Sequence, residues 1–335
     1  MTSPITESAI EVIAPRMPVT VVAAVAQGRT LGKTRVIVFA LKAGGTAKTS
    51  SCTSLAAILG ERGYRVLVID LDPQGHASTV LGYGTFAEGQ LGITDVIKDE
   101  AALSDIVVPA RYQVAEIDPK NPEAAFQPIP NVYVAPVDLE HPELDDPESI
   151  LNDPKGADAY WIRDGLAAMD GQWDVVLIDC PATYGRITVT AFVALDDAVD
   201  GEVLPPVLCT YKEAGAVVKL EKKLKEVREL PKYLKKGIQP RMKRVLVCAA
   251  PNSSYGRAEH FKTLAEIQEE YGDILLPLVH WSGEVPKIYR QEVPVSVMAP
   301  NSRPAQEYRK VATALGFPRL NPSPQGSEEL EESAA

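Results

Sequence analysis

The chain has 335 residues, 45% of them hydrophobic and 24% charged, and carries a net charge of −11. That length allows one large or two modest domains with a substantial core, and the composition is ordinary for a soluble globular protein. No apolar run approaches the ~20 residues of a membrane helix. The four cysteines (Cys52, Cys180, Cys209, Cys248) are scattered without a C-x-x-C pair, which disfavours a metal centre and fits free thiols in a reducing compartment.

Residues 1–33 mix Pro, Ser and Thr with short apolar pieces and are expected to form a mostly disordered arm. Within it MPVTVVAAVAQG (17–28) is apolar, but acidic Glu7 and Glu11 precede it in place of a basic leader, so no secretory signal is expected. RVIVFAL (35–41) predicts the first strand, and KTSSCTSLAAILGERG (48–63) a helix over about 48–62 that Gly63 stops. Further strands are predicted at RVLVIDL (65–71), NVYVAPV (131–137), DVVLID (174–179), EVLPPVL (202–208), RVLVCAA (244–250) and ILLPLV (274–279). Further helices are predicted at about 157–170, 212–230, 256–271 and 303–315. The proline-rich stretch 112–130 reads as a long surface loop, and the acidic tail from Asn321 as unstructured. Several strands are apolar on both faces, as strands covered by helices on both sides must be. The alternation predicts an α/β fold: a doubly wound, mostly parallel sheet with helices on both faces, binding ligands where strands end and helices begin.

The first such place is KAGGTAKTSS (42–51), lying between a strand and a helix, as a loop that wraps a triphosphate must. Against the usual G-x-x-x-x-G-K-[ST], Lys42 stands where the first glycine belongs and Ala47 where the last does. The chemistry is otherwise present. Gly44 and Gly45 permit close backbone approach, Thr46, Ala47 and Ser50 complete the cradle, Lys48 can reach the β- and γ-phosphates, and the Thr49 hydroxyl can hold Mg²⁺. GKT (32–34) precedes the strand and has no glycine five residues before it, so it is a decoy. The second strand ends in Asp70 and Asp72, and DVVLID ends in Asp179, followed by Cys180 and Pro181. Carboxylates there can orient metal-bound and attacking water. A strand with one terminal Asp is common; these elements in this order are not.

In GGTAKTS (44–50), IDLDPQGHAS (69–78) and IDCP (178–181) the sequence resembles the deviant Walker A ATPases of the ParA/Soj/MinD group. The resemblance runs on through AVDGEVLPPV (198–207) and VPVSVMAPNSRPAQEY (293–308), covering roughly 35–317. It implies a P-loop ATPase domain over 34–320 with ATP and Mg²⁺ as cofactors and slow, partner-stimulated hydrolysis. Residue by residue it implies phosphate binding by Lys48 and metal binding by Thr49, with Asp70 and Asp179 around the metal. Asp72 positions the hydrolytic water, switch behaviour falls to 72–76 and 180–185, and Pro300 and Asn301 lie near the adenine. The group's first lysine reaches across an ATP-bound homodimer to the partner's nucleotide. Its aligned position here is Ala43, so either Lys42 substitutes, or another lysine does, or the dimer is weak and hydrolysis slow.

The average charge hides an asymmetry: between Lys212 and Arg244 there are twelve Lys or Arg against four Glu. Val217, Leu220, Leu224 and Val227 recur at helical spacing, which sets Lys219, Lys222, Lys223, Lys225 and Arg228 off the apolar face. Such charges bind phosphates without reading bases, so non-specific double-stranded DNA is the expected partner, with Arg257 as a further contact implied by the resemblance. The alternative for this block is a solvated helix laced with i,i+4 pairs. The acidic tail argues against a membrane partner. The resemblance implies a cytoplasmic, nucleoid-associated partition ATPase that segregates or positions plasmid, phage or chromosomal DNA with a ParB-like adaptor. Its rivals are a positioning ATPase for a protein cargo such as a microcompartment, and a metabolic ATP-dependent ligase or amidotransferase of the same fold.

Overall fold

The computed structural model describes residues 32–117, 121–140 and 158–320; the expected N-terminal arm up to residue 31 and the tail beyond 320 lie outside the described residues. Six strands form one sheet: β1 (Arg35–Phe39), β2 (Val66–Asp70), β3 (Val108–Gln113), β4 (Phe126–Ala135), β5 (Val175–Asp179) and β6 (Asp200–Leu204), in the order β3-β4-β2-β5-β1-β6. All pairings are parallel except β3 with β4. Two short strands, β7 (Pro206–Val207) and β8 (Leu246–Val247), pair in parallel alongside. The longer helices are α1 (Lys48–Glu61), α2 (Trp161–Ala168), α3 (Arg186–Val193), α4 (Tyr211–Glu229), α5 (Ala258–Tyr271) and α6 (Arg303–Ala314). No helix among the described residues is long and apolar enough to cross a membrane.

Period-two alternation along the strands divides the core into two layers. Val36, Val38, Leu67, Ile69, Val176 and Ile178 face one layer, and Ile37, Phe39, Val66, Val68, Val175 and Leu177 the other. Helix α1 is buried on nearly every side, wedged between the sheet, β4 and α6. Its Gly60 shows how tight that wedge is: a Cβ there would meet the Pro130 carbonyl oxygen at 2.2 Å and Val132 Cγ2 at 2.6 Å. Gly60→Ala is therefore expected to destabilise the fold by about 1–3 kcal/mol, measured by denaturant unfolding.

Of the expected loop at 112–130, residues 112–113 and 126–130 instead belong to an antiparallel strand pair, β3 with β4, bulged between Pro109 and Arg111; Pro122–Ala125 form a short 3-10 turn between them, and 118–120 lie outside the described residues. The prolines of β4 are tolerated because it pairs with β2 only from Val132 onward. Upstream, Pro128 and Pro130 have β3 on one side alone, an edge position where a missing N–H costs nothing on the open side. The strand expected over 202–208 divides at Pro205 into β6 and β7. The strands expected at 244–250 and 274–279 shrink to β8 and isolated parallel bridges, Val245 to Leu275 and Ala250 to His280. Pro277 cannot donate to a continuous ladder there. Helix α3 was not expected, since its sequence RITVTAFV is rich in β-branched residues that weaken a helical signal. The four cysteines are buried, as expected of thiols in the core.

Candidate nucleotide site

Strand register assembles the site. Across β1 and β5 Phe39 stands opposite Asp179, and across β2 and β5 Asp70 stands opposite Asp179. The loop leaving β1 and the two aspartates therefore meet at the carboxyl ends of three neighbouring strands. The Thr49 hydroxyl donates to Asp179 Oδ2 at 2.6 Å, so the first turn of α1 is tied to the end of β5. Asp179 Oδ1 and Thr46 Oγ1 are buried without a protein partner. Polar atoms in that state cost free energy unless something else satisfies them. Their presence beside a helix N-terminus fits a site shaped for a metal ion and phosphate oxygens.

The loop itself carries strain and open space. Ala47 has φ 69° and ψ 24°, left-handed values that cost an L-residue about 1–2 kcal/mol. Ala47→Gly is expected to raise stability by about 1 kcal/mol, read as a higher thermal midpoint. Gly45 is left-handed too, with φ 73°. A Cβ on Gly44 or Gly45 would meet nothing within 4 Å, so no protein atom crowds that side of the loop. Lys48, only 7% exposed, folds its ammonium back onto the loop, donating to the Ala43 carbonyl at 3.0 Å and to that of Leu41 at 3.5 Å. Ala43 is buried in the core, whereas Lys42 is exposed, its backbone N–H donating to Tyr184 Oη at 3.2 Å. The loop thus turns the lysine outward and the alanine inward.

Asp70 serves the DPQGH segment. Its Oδ2 accepts from Ser78 N and Ser78 Oγ, both at 2.7 Å, and its Oδ1 from Asp72 N at 3.1 Å. Asp72 is half-buried, and its Oδ1 accepts from Gln74 N at 3.0 Å, which fixes the carboxylate's direction. Burial raises the Asp70 carboxyl from 3.8 to about 6. Burial, followed by the charge of Asp70, pushes Asp179 well up. A cation between them would favour the ionised pair.

Native Asp70 keeps its proton to about pH 6 while the unfolded chain loses it near 3.8, so the folded state binds more protons in that window. Without divalent ions the contribution of this group is present at low pH and lost as pH rises through about 6. The thermal midpoint in EDTA should rise on going from pH 7 to pH 5.5, and Mg²⁺ should abolish that gain.

The remaining candidates are more dispersed. The Pro300 carbonyl accepts from Arg309, whose other nitrogen pairs with Glu61 in the last turn of α1, and the Asn301 carbonyl accepts from Gln306. Through Arg309 and Glu61 the Pro300 carbonyl is linked to the last turn of α1. On α4, Ala216, Val217, Leu220, Leu224 and Val227 are buried and Lys219 and Lys222 exposed, as the spacing predicts. Lys223 and Lys225 approach Glu226 and Glu229 at 3.8 Å. Arg228 differs from expectation: it is half-buried and donates to the Pro240 carbonyl at 2.6 Å. Lys243 and Arg244 bind Asp200 and Glu202 at 2.9 and 3.3 Å, so part of the basic block is neutralised internally. Arg257 is 84% exposed at the start of α5.

Sequence reasoning gave no role to Ser78 or Tyr289. Ser78 lies inside the quoted IDLDPQGHAS motif and could have been found there as a donor to Asp70. Tyr289 carries no local signal, because its contacts are long-range, and Tyr184, though within the expected switch segment 180–185, reaches Lys42 N across 142 residues.

Residues 34–239 match the AAA domain family AAA_31. The cell division protein PomZ of Myxococcus xanthus is 28% identical over 279 residues, 83% of this chain and 76% of PomZ. The chromosome partitioning protein ParA of Caulobacter vibrioides is 31% identical over 196 residues, 58% of this chain and 63% of that protein. The structure of Cyanothece McdA in complex with ATP superposes with a TM-score of 0.66 at 19% identity, over 87% of this chain and 100% of the McdA chain, a likeness of fold. The family match spans more than half of the chain and takes in the loop and all three aspartates. The chain belongs to the AAA domain family AAA_31 and is a P-loop ATPase of the ParA/MinD type.

Proposed function

We propose that this chain is a ParA-like partition ATPase: an ATP-dependent dimerising switch that binds double-stranded DNA non-specifically and moves or positions DNA with a ParB-like adaptor, in the cytoplasm over the nucleoid. The observation that carries the reading is the Thr49–Asp179 contact at 2.6 Å beside two orphaned buried oxygens, with Asp70 linking that centre to the DPQGH segment. Thr49 and Asp179 would hold Mg²⁺, and Lys48, released from the loop carbonyls, would meet the phosphates. Bound there, Mg²⁺ would neutralise charge developing on the phosphoryl oxygens. Asp72 then accepts a hydrogen bond from the attacking water, in the direction its bond from Gln74 N already sets. Lys42, exposed at the loop's tip, is the residue available to reach a partner's nucleotide.

Dimerisation and DNA retention with ATP, ADP and no nucleotide, at low and high salt, test this directly. Retention specific to ATP and lost at high salt supports the reading; indifference to DNA in every state favours a metabolic enzyme of the same fold. The internal neutralisation of Lys243 and Arg244 favours a second reading, in which the same switch positions a protein cargo. A pull-down identifying the adaptor separates the two.

A further inference from the structure

Tyr289 lies on the short helix Lys287–Gln291, which packs against the short helix His76–Val80 that follows the DPQG turn. Its neighbour Ile288 is fully buried and anchors the element, while Tyr289 itself is 43% exposed. The phenol ring meets the His76 imidazole edge-on, centroids 5.5 Å apart and planes at 71°. Its hydroxyl lies 3.5 Å from Ser50 Oγ, on the residue after Thr49. The other handle on the segment is Asp70, which grips Ser78 and stands opposite Asp179. The middle of the His76–Val80 helix is thus tied at Ser78 to Asp70, and its first residue, His76, meets Tyr289, whose hydroxyl approaches the first turn of α1.

We propose that Tyr289 is a positioning residue that couples the DPQGH segment to the phosphate loop, its hydroxyl sensing the Thr49–Ser50 turn and its ring edge holding His76. The inference rests on the reading of the loop as an Mg²⁺–ATP site and adds the route by which occupancy reaches the switch segment. When nucleotide and metal draw on the Thr49 hydroxyl, the first turn of α1 reorganises, and Tyr289 carries that change to His76 without touching the reacting atoms. The two aromatic rings are partly in solvent, so the contact can form and break without opening the core.

Hydrogen exchange of the full chain with Mg²⁺ and a non-hydrolysable ATP analogue reads this coupling. In the unsubstituted protein, exchange should slow both in peptides spanning 48–56 and in those spanning 72–80. Tyr289→Phe, which keeps the ring and loses the hydroxyl, should preserve the protection of 48–56 and lose about five-fold of that at 72–80. His76→Ala should give the same split, and His76→Phe, which restores an aromatic edge, should recover it. Equal protection of 72–80 in Tyr289→Phe and the unsubstituted protein would overturn the coupling while leaving the nucleotide site intact. A uniform loss of protection across both regions would reduce Tyr289 to a packing residue and overturn it too. No nucleotide-dependent protection in the unsubstituted protein would overturn the site reading, and the coupling with it.

Discussion

Lys48→Ala is expected to lower ATP turnover by about 10²–10³-fold while leaving the fold in place. The ammonium is buried and, among the described residues, bonded to the carbonyls of Ala43 and Leu41, both within a few residues of Lys48 in sequence. Those two bonds hold the charge ready without stabilising a distant element, so their loss should cost the core little. Removing the positive charge proposed to meet the phosphates would leave the main-chain amides of α1 to hold a polyphosphate with less help. Lys42→Ala makes the instructive comparison. Lys42 is exposed and Ala43 buried, so in the proposed dimer the side chain at 42 is the one that could reach a partner. Its loss should leave nucleotide affinity unchanged and lower turnover only at protein concentrations where dimers form. A silent Lys42→Ala would remove it from the cross-dimer role.

The second large effect concerns DNA. Lys219→Ala together with Lys222→Ala should reduce the slope of log K against log salt by about 2 and weaken retention nearly uniformly across sequences. Both side chains are exposed on the polar face of α4, where a phosphate backbone can meet them. Arg228→Ala should behave differently. Its guanidinium is spent on the Pro240 carbonyl, so the substitution should appear as lost stability with the salt slope nearly unchanged. Filter binding across a salt series, paired with thermal midpoints, distinguishes the two outcomes.

Much of this site was legible because its signals are local. A strand, a glycine-rich turn and a helix in immediate succession define the loop at 42–51, and a terminal aspartate marks β2 and β5. The apolar spacing of α4 gave its buried face residue by residue. What escaped depends on partners distant in sequence. Pro128 and Pro130 look like loop residues until β4 is known to lack a neighbour on one side at that height. Arg228, Lys243 and Arg244 look like free charge until Pro240, Asp200 and Glu202 are found against them. Ala47 reads as a small deviation from glycine, yet only its left-handed backbone reveals that the position carries strain. Tyr289 sits 239 residues from the serine it approaches, beyond the reach of any local pattern.

The central physical claim is that the α1 tip, with Thr49 and Asp179, takes up ATP together with Mg²⁺. Titration of the purified chain with a fluorescent ATP analogue, in Mg²⁺ and in EDTA, tests it most directly. Saturable binding that Mg²⁺ tightens by about ten-fold or more is expected, with the tightening lost in Thr49→Val and Asp179→Asn. Saturable binding that is indifferent to Mg²⁺ and to both substitutions, or no binding at all, would contradict it.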